Sequence, residues 1–407
     1  MSAGGRTVAW LLKCMAALIL ILIYTKVYPK RSEADAFKYF DDAVILSQVA
    51  KEDFGAYSRI LVGTTRQADS VYLNRMNYWF RSYDHGLSND NRLVIRVNAV
   101  LNLITQGQYG LNLCFFLFCS FLGGYWLFLF FMHFSPHKWV AFAAAFLLPS
   151  TLFWSSGILK EALLMAALGG LMYSLLRVVN SFSWGALVLC ILSVLILLHL
   201  KVYIFIALFP FVLYAFSHLT WKAFFPALFT TAGLLAILLL GLTYLFPTWS
   251  LLSTLQGKQF DFIQMAKAVQ AGSQIPVIPM DGSIWTLIKL IPLGIWNTLF
   301  YPSLGMLRNA QTVLAFLENL VLIGLVLGAL FGFLRHRTLG YWQIAMIGFS
   351  LAVFSLVGMT APVVGAIVRY KSPVLPFLFF ALYHAQSQRF QEFLEQQKWI
   401  QWLTMRL

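Results

Sequence analysis

Long apolar stretches separated by short polar turns occupy most of this chain. Nine of them are about as long as a membrane-spanning helix, and the tenth, at the C-terminal end, is shorter. The pattern predicts an all-α, polytopic membrane helix bundle with about ten transmembrane helices, forming a single integral membrane domain over residues 1–407. The predicted spans are 8–28, 111–132, 139–155, 161–178, 184–200, 202–219, 223–246, 312–334, 341–360 and 373–385.

Composition agrees with this class of protein. The mean hydropathy is +0.76, with 60% hydrophobic and 11% charged residues, which is typical of a multi-pass membrane protein. The first span continues into YTKVYPKRSE without a small-residue cleavage pattern. It is therefore expected to remain as an uncleaved anchor.

Three segments depart from the apolar pattern. Residues 29–110 contain ten basic and nine acidic residues, and the stretches AFKYFDDAVILSQVA and NRLVIRVNAVLNLI repeat apolar residues at helical spacing. They predict an extracytoplasmic loop with interfacial helices, joined by a turn-rich loop over 80–92. Residues 247–309 predict a second extracytoplasmic loop, whose apolar end is interfacial or re-entrant. Residues 386–407 predict a cytoplasmic amphipathic tail.

The distribution of basic residues predicts that both termini lie in the cytoplasm. Threading ten spans places ten basic residues inside and four in the short outer loops, and the long first loop is exempt from the count. The inner residues are Arg6, Lys13, Lys138, Arg177, Lys222, Arg335, Arg337, Arg389, Lys398 and Arg406, and the outer ones are Lys160, Lys201, Arg369 and Lys371.

The net charge of +14 does not indicate a nucleic-acid partner, because the basic residues are scattered over loop ends instead of one face. Anionic membrane lipids account for it better. All four cysteines lie within predicted spans, which argues against a disulfide framework or a thiolate metal site.

This topology brings charged residues distant in sequence to one predicted membrane face. Charges near the hydrocarbon usually face a cavity or each other, so these residues predict a shared polar cleft. They are Asp35, Asp41, Asp42, Lys160, Glu161, His199, Lys201, Arg369, Tyr370 and Lys371.

Each group also has a simpler interpretation. Asp41 and Asp42 point about 100 degrees apart on a helix, so one of them, or one with Asp35, can serve as a general base, or both are solvated. Lys160 either pairs with Glu161 or binds a lipid phosphate. Glu318, deep in a span, needs a partner across the bundle.

The stretch RYKSPVLP precedes the last apolar span. Arg369 presents a planar donor fork suited to phosphate, with Lys371 two residues on, although an interfacial Arg/Tyr/Lys anchor has the same composition. An RY-[KR]-x-P-x-x-P entry into a final span resembles bacterial polytopic glycosyltransferases of the GT-C superfamily, the lipid-linked sugar transferases related to protein mannosyltransferases and the lipid A aminoarabinose transferase. The first span followed by a large acidic outer loop is similar to the same superfamily.

The resemblance implies roles for residues of this chain. An aspartate of the first outer loop would act as base or ligate a divalent metal, which corresponds to Asp41 or Asp42, with Asp35 as the alternative. Arg369 and Lys371 would hold a polyprenyl phosphate. No other cofactor is implied, and the chain lacks the soluble C-terminal domain found in that superfamily.

We therefore expect transfer of a sugar from a polyprenyl-phosphate carrier to an acceptor hydroxyl on the outer face of a bacterial cytoplasmic membrane, in envelope polysaccharide or glycolipid assembly. A repeat-unit polymerase and a transporter or flippase of lipid-linked substrates are the alternatives. A transporter would carry charges near the membrane midplane, and Glu318 is the one charge that the sequence places clearly there.

Overall fold

A computed structural model describes residues 1–26, 30–80, 90–245, 250–334 and 338–407. This part of the chain is helical, and its one β feature is an isolated bridge between Gln274 and Val363. The first ten helices are α1 Ala3–Lys26, α2 Asp35–Glu52, α3 Phe54–Val62, α4 Ser70–Leu73, α5 Asn91–Thr105, α6 Tyr109–Phe134, α7 Lys138–Phe142, α8 Pro149–Trp154, α9 Lys160–Asn180 and α10 Trp184–Leu200. The other helices are α11 Val202–Trp221, α12 Phe224–Leu245, α13 Leu251–Ala268, α14 Ile284–Phe300, α15 Ala310–Leu334, α16 Tyr341–Thr360, α17 Val364–Lys371, α18 Leu375–His384, α19 Gln388–Glu395 and α20 Lys398–Arg406.

Within the described ranges, six helices are long and apolar enough to cross a membrane, namely α1, α6, α9, α11, α15 and α16. The pair α17 and α18, bent by 66°, makes a seventh if it is one span. The chain is thus a multi-pass helical membrane protein. The predicted count of about ten stays a prediction. The other three predicted spans lie on α10, on α12 and on the broken run from α7 to α8, which are not among these candidate membrane-spanning helices.

The chain divides into two compact units, and the first comprises Met1–Ser82, Ser88–Phe134 and Leu152–Lys201. Its α6 and α9 approach closely at glycines. A Cβ atom on Gly123 would lie 2.2 Å from the carbonyl oxygen of Met165, and one on Gly169 would lie 2.1 Å from that of Gly123. Small residues allow this backbone approach, which is a common means of joining membrane helices.

The helices predicted within residues 29–110 are present as α2 to α5, but α2 and α5 also pack against each other. Leu46 and Val49 of α2, and Val94 and Ile95 of α5, are fully buried. Asp53 caps α3 by accepting a hydrogen bond from the Ala56 N–H. The predicted 80–92 loop lies mostly outside the described residues, as do Arg335 and Arg337 of the charge count.

Among the described residues, the second unit comprises Ser135–Thr151 and Val202–Leu407. The apolar end of the 247–309 segment is the helix α14, which packs along α16. A Cβ atom on Gly358 would lie 1.9 Å from the carbonyl oxygen of Gly294, so only glycine fits there. The tail is helical, as predicted, and forms α19 and α20 with Phe393, Trp399 and Trp402 exposed.

Candidate functional site

Asp42 of α2 is completely buried. The sequence allowed two interpretations of this residue, a general base or a solvated surface carboxylate, and the buried side chain does not agree with the second. Its Oδ1 accepts a 2.9 Å hydrogen bond from the Asn77 N–H, and its Oδ2 accepts a 2.8 Å bond from the Tyr78 N–H. Burial raises the pKa of Asp42 to about 6, and these backbone donors oppose part of the rise. Asp42 therefore anchors the chain after α4 onto α2.

Asp41 points away from Asp42, as helix geometry requires. Its carboxylate forms a two-point ion pair with the Arg31 guanidinium, at 2.8 and 2.7 Å, and both side chains are partly exposed. Asp35 lies 3.4 Å from the ammonium group of Lys38. Of the three predicted carboxylates, Asp41 and Asp35 thus remain accessible to solvent.

Lys160, the first residue of α9, is 6% exposed and lies between an acid and an aromatic ring. Its Nζ is 2.6 Å from Oδ2 of Asp90 and 5.6 Å from the centre of the Tyr39 ring. Tyr39 precedes Asp42 by one helical turn on α2. The first-loop helix α2 and the start of α9 are therefore brought together at Tyr39 and Lys160.

Glu161 and Lys201 form a second buried pair. Lys201 Nζ donates a 3.0 Å hydrogen bond to Oε1 of Glu161, and both side chains are less than 5% exposed. Lys160 and Glu161, which are adjacent in sequence, form ion pairs with different residues, Asp90 and Lys201, because adjacent residues on a helix do not face each other. The neighbouring His199 is exposed, and its Nδ1 lies 2.8 Å from the Leu195 carbonyl oxygen of its own helix.

The non-helical segment before α9 is fixed against α1. Nζ of Lys13 donates hydrogen bonds of 2.6 Å to the hydroxyl groups of Ser120 and Ser155. A Cβ atom on Gly157 would lie 2.9 Å from a methyl group of Leu20. Lys13 and Leu20 are seven residues apart and so share one face of α1. This face determines where the chain enters α9, and with it the position of Lys160 and Glu161.

We call Asp90, Lys160, Glu161 and Lys201 the ionic cluster. Each of its two lysines is buried and paired with a carboxylate, and an ammonium group also forms charge-assisted hydrogen bonds with phosphate. The sequence did not indicate Asp90 as a candidate site residue, and it did not predict that Lys13 is buried. Asp90 immediately precedes the first residue of α5, and an acid before a helix start is usually read as a cap.

In the second unit, Lys371 is fully buried and holds helices together. Its ammonium group donates to the Thr298 carbonyl oxygen at 3.0 Å and to Oδ1 of Asn319, so it links α17 to α14 and α15. The prediction that Lys371 faces a polar cleft is wrong as far as its side chain is concerned, because its contacts are within the protein core. Arg369 is half-buried, and the Tyr370 ring lies 5.8 Å from that of Phe262 on α13.

Glu318 has a hydrogen-bond partner for one of its two carboxylate oxygen atoms, and Oε2 is buried without a hydrogen bond among the described residues. Its Oε1 accepts a 3.1 Å hydrogen bond from the Ser150 N–H, and Lys371 attracts it electrostatically. Lys13, Glu318 and Lys371 are thus buried charged residues in apolar helical segments, as are Lys160 and Glu161 at the start of α9, whereas the sequence indicated only Glu318.

Within the described ranges no three His, Cys, Asp or Glu side chains come together in a way that could hold an ion. Both oxygen atoms of Asp42 are already engaged by backbone N–H groups.

Comparison with known proteins identifies no relative: no family model, curated protein or solved structure matches this chain.

Proposed function

We propose that the protein is a membrane glycosyltransferase that uses a polyprenyl-phosphate-linked sugar, with the ionic cluster as the site of its phosphate. The observation that carries this proposal is the position of Lys160, buried between Asp90 and Tyr39 beside the Glu161–Lys201 pair. The acceptor is a hydroxyl group, and the cell membrane is the bacterial cytoplasmic membrane.

The chemistry proceeds by exchange of partners. The donor phosphate displaces the Asp90 carboxylate from Lys160, and the released carboxylate accepts the proton of the acceptor hydroxyl. The acceptor oxygen then bonds to the anomeric carbon, while the bond from that carbon to the phosphate oxygen breaks. The leaving phosphate keeps the electron pair and is stabilised by Lys160 and Lys201. Asp41 and Asp35 are the alternative bases, since both are accessible.

Release of free polyprenyl phosphate from a defined polyprenyl-phosphate sugar tests the proposal when a lipid extract of the membrane supplies the acceptor hydroxyl groups, because the readout then counts transfer to any acceptor in the extract. Purified Asp90→Asn and Lys160→Met should each lose at least about 100-fold in rate. The control His199→Gln changes an exposed side chain of the same region and should keep the wild-type rate. Normal rates in both cluster variants would reject the site, and loss in Asp41→Asn alone would move the base to α2.

The role that the resemblance implies for Arg369 is tested in the same assay. Arg369→Lys keeps the charge and loses the planar fork, so a two-point phosphate contact predicts a clear loss of rate, whereas a headgroup anchor predicts none.

A transporter of lipid-linked substrates is the second candidate, and three buried charges, Lys13, Glu318 and Lys371, favour it. A transporter binds the lipid-linked sugar but releases no polyprenyl phosphate in any variant, including the wild type. The rate measurement therefore separates the two classes.

A further inference from the structure

The tail helix α19 turns its polar side toward the protein and its apolar side away from it. Oε1 of Glu395 lies 2.5 Å from Nδ1 of His137, and the Gln391 amide nitrogen donates a 3.4 Å hydrogen bond to the Tyr383 carbonyl oxygen of α18. Phe393, by contrast, is 60% exposed. A surface helix of a water-soluble protein normally does the reverse, because it buries its apolar side against the core.

The next helix, α20, has two apolar sides and buries one of them. Ile400 is buried against the protein, whereas Trp399, Trp402 and Met405 are each more than half exposed. These three residues are spaced three positions apart and therefore lie on one side of the helix. The Arg406 guanidinium lies 4.4 Å from the centre of the Trp402 ring. The contacts of α20 within the described part of the chain thus leave its aromatic side uncovered.

Basic residues border this uncovered surface, which we call the outer face of the tail. The outer face consists of Phe390, Phe393, Trp399, Trp402 and Met405. Arg389 and Lys398 are exposed, and neither has an acidic partner among the described residues. Arg389 precedes Phe393 by one helical turn, and Lys398 precedes Trp402 in the same way. An apolar surface with a positive border is complementary to a lipid whose headgroup is negative.

The tail is also close to the membrane along the chain. The bent pair α17 and α18 is a candidate span, α18 ends at His384, and α19 begins at Gln388. We therefore expect the tail at the depth of the lipid headgroups, where tryptophan side chains are enriched. The apolar phase within reach of the outer face is the membrane that receives α17 and α18.

We propose that the outer face of the tail binds anionic phospholipid at the membrane surface. Phe393, Trp399 and Trp402 enter the boundary between headgroups and acyl chains, and Arg389 and Lys398 pair with the phosphate groups. The polar side of α19 stays on the protein, so that the helix lies between protein and lipid. This inference is independent of the proposed glycosyl transfer.

Tryptophan fluorescence of the full-length protein, one copy in each nanodisc, tests the contact with lipid. The signal of Trp402 is the difference between Trp399→Phe and Trp399→Phe/Trp402→Phe, and lipid brominated near the top of its acyl chains should quench most of it. The matched control Trp399→Phe/Trp402→Phe/Gln401→Trp moves the indole about 100 degrees round the helix, and its signal should be quenched markedly less. Equal quenching at the two positions, or no quenching of Trp402, would overturn the proposal.

Hydrogen exchange of the backbone amides of residues 386–407 tests the preference for anionic lipid. Exchange should be at least about fivefold slower in phosphatidylglycerol nanodiscs than in phosphatidylcholine nanodiscs, because each basic side chain near an anionic surface favours binding by about that factor. Arg389→Gln/Lys398→Gln should abolish the difference between the two lipids. Lys222→Gln removes an exposed basic residue that follows α11 and should keep it.

Two results of the exchange experiment would contradict the proposal. Equal exchange of the wild-type tail in the two lipids would exclude the anionic headgroup as its partner. Protection in lipid-free detergent that rises with protein concentration would assign the outer face to a second copy of the chain.

Discussion

Nζ of Lys13 donates a 2.6 Å hydrogen bond to Oγ of Ser155, which lies 142 positions further along the chain. A lysine in the middle of an apolar helix is costly unless its ammonium group is satisfied, and the hydroxyl groups of Ser155 and Ser120 satisfy it here. Ser155→Ala should therefore lower the free energy of unfolding by about 1.5–3 kcal/mol in the wild type.

In a Lys13→Met background the same Ser155→Ala change should cost clearly less, so a double-mutant cycle measured by thermal unfolding should give a clear coupling energy. Ser156→Ala is the control, because the Ser156 hydroxyl bonds the Leu152 carbonyl oxygen of its own segment. Equal effects of Ser155→Ala in both backgrounds would contradict the link.

Asp42 and Asp41 are expected to differ strongly in their effect on stability. Asp42→Ala leaves the N–H groups of Asn77 and Tyr78 without their acceptor, at a cost of about 1–3 kcal/mol for each buried donor. Asp41→Ala removes an exposed pair with Arg31, which contributes about 0–1 kcal/mol. Chemical or thermal unfolding of the two purified variants compares them, and equal losses would show that Asp42 is not an anchor.

The raised pKa of Asp42, about 6, predicts a pH dependence of folding. Because the folded-state pKa lies above the ordinary value of 3.8, the contribution of Asp42 to stability is complete below about pH 4 and is lost as the pH rises through about 6. The unfolding midpoint of the wild type relative to Asp42→Asn should fall over this window. A difference that does not change with pH, or that rises, would be inconsistent with it.

The Glu161–Lys201 pair predicts strong destabilisation by single changes and partial recovery in the double variant. Lys201→Met takes the cation from a fully buried carboxylate, for which a loss of about 3–5 kcal/mol is typical. Glu161→Gln/Lys201→Met removes both charges and should recover much of that loss. The exposed His199→Gln serves as a neighbouring control, and a double variant no more stable than Lys201→Met would refute coupling.

The orientation of the C-terminus depends on α14. If α14 lies within the membrane without crossing it, reporters inserted after Met280 and fused after Leu407 should score on opposite sides, external and cytoplasmic. If α14 crosses, an odd number of crossings separates the N-terminus from the C-terminus, and the second reporter scores external. A reporter in the exposed turn at Thr65 provides the external reference.

The sequence by itself determined the class of protein and most of its helices. Runs of apolar residues with few charges can bury their backbone polar groups in lipid only as helices. Nine of the ten predicted spans correspond to an apolar helix, and the span predicted over 139–155 is the broken run from α7 to α8. Helical spacing likewise indicated α2 and α5. These features depend on the local pattern of apolar and polar residues, which can be read from one sequence.

Tertiary structure decided which charged side chains meet. Asp41 and Asp42 are adjacent in the sequence, yet one is paired at the surface and the other is buried under backbone N–H groups. Lys160 and Glu161 are adjacent, yet each takes its partner from a different segment, Asp90 or Lys201. The physical reason is that neighbouring helix residues point about 100 degrees apart, so the partner of each depends on which distant segment packs against its face.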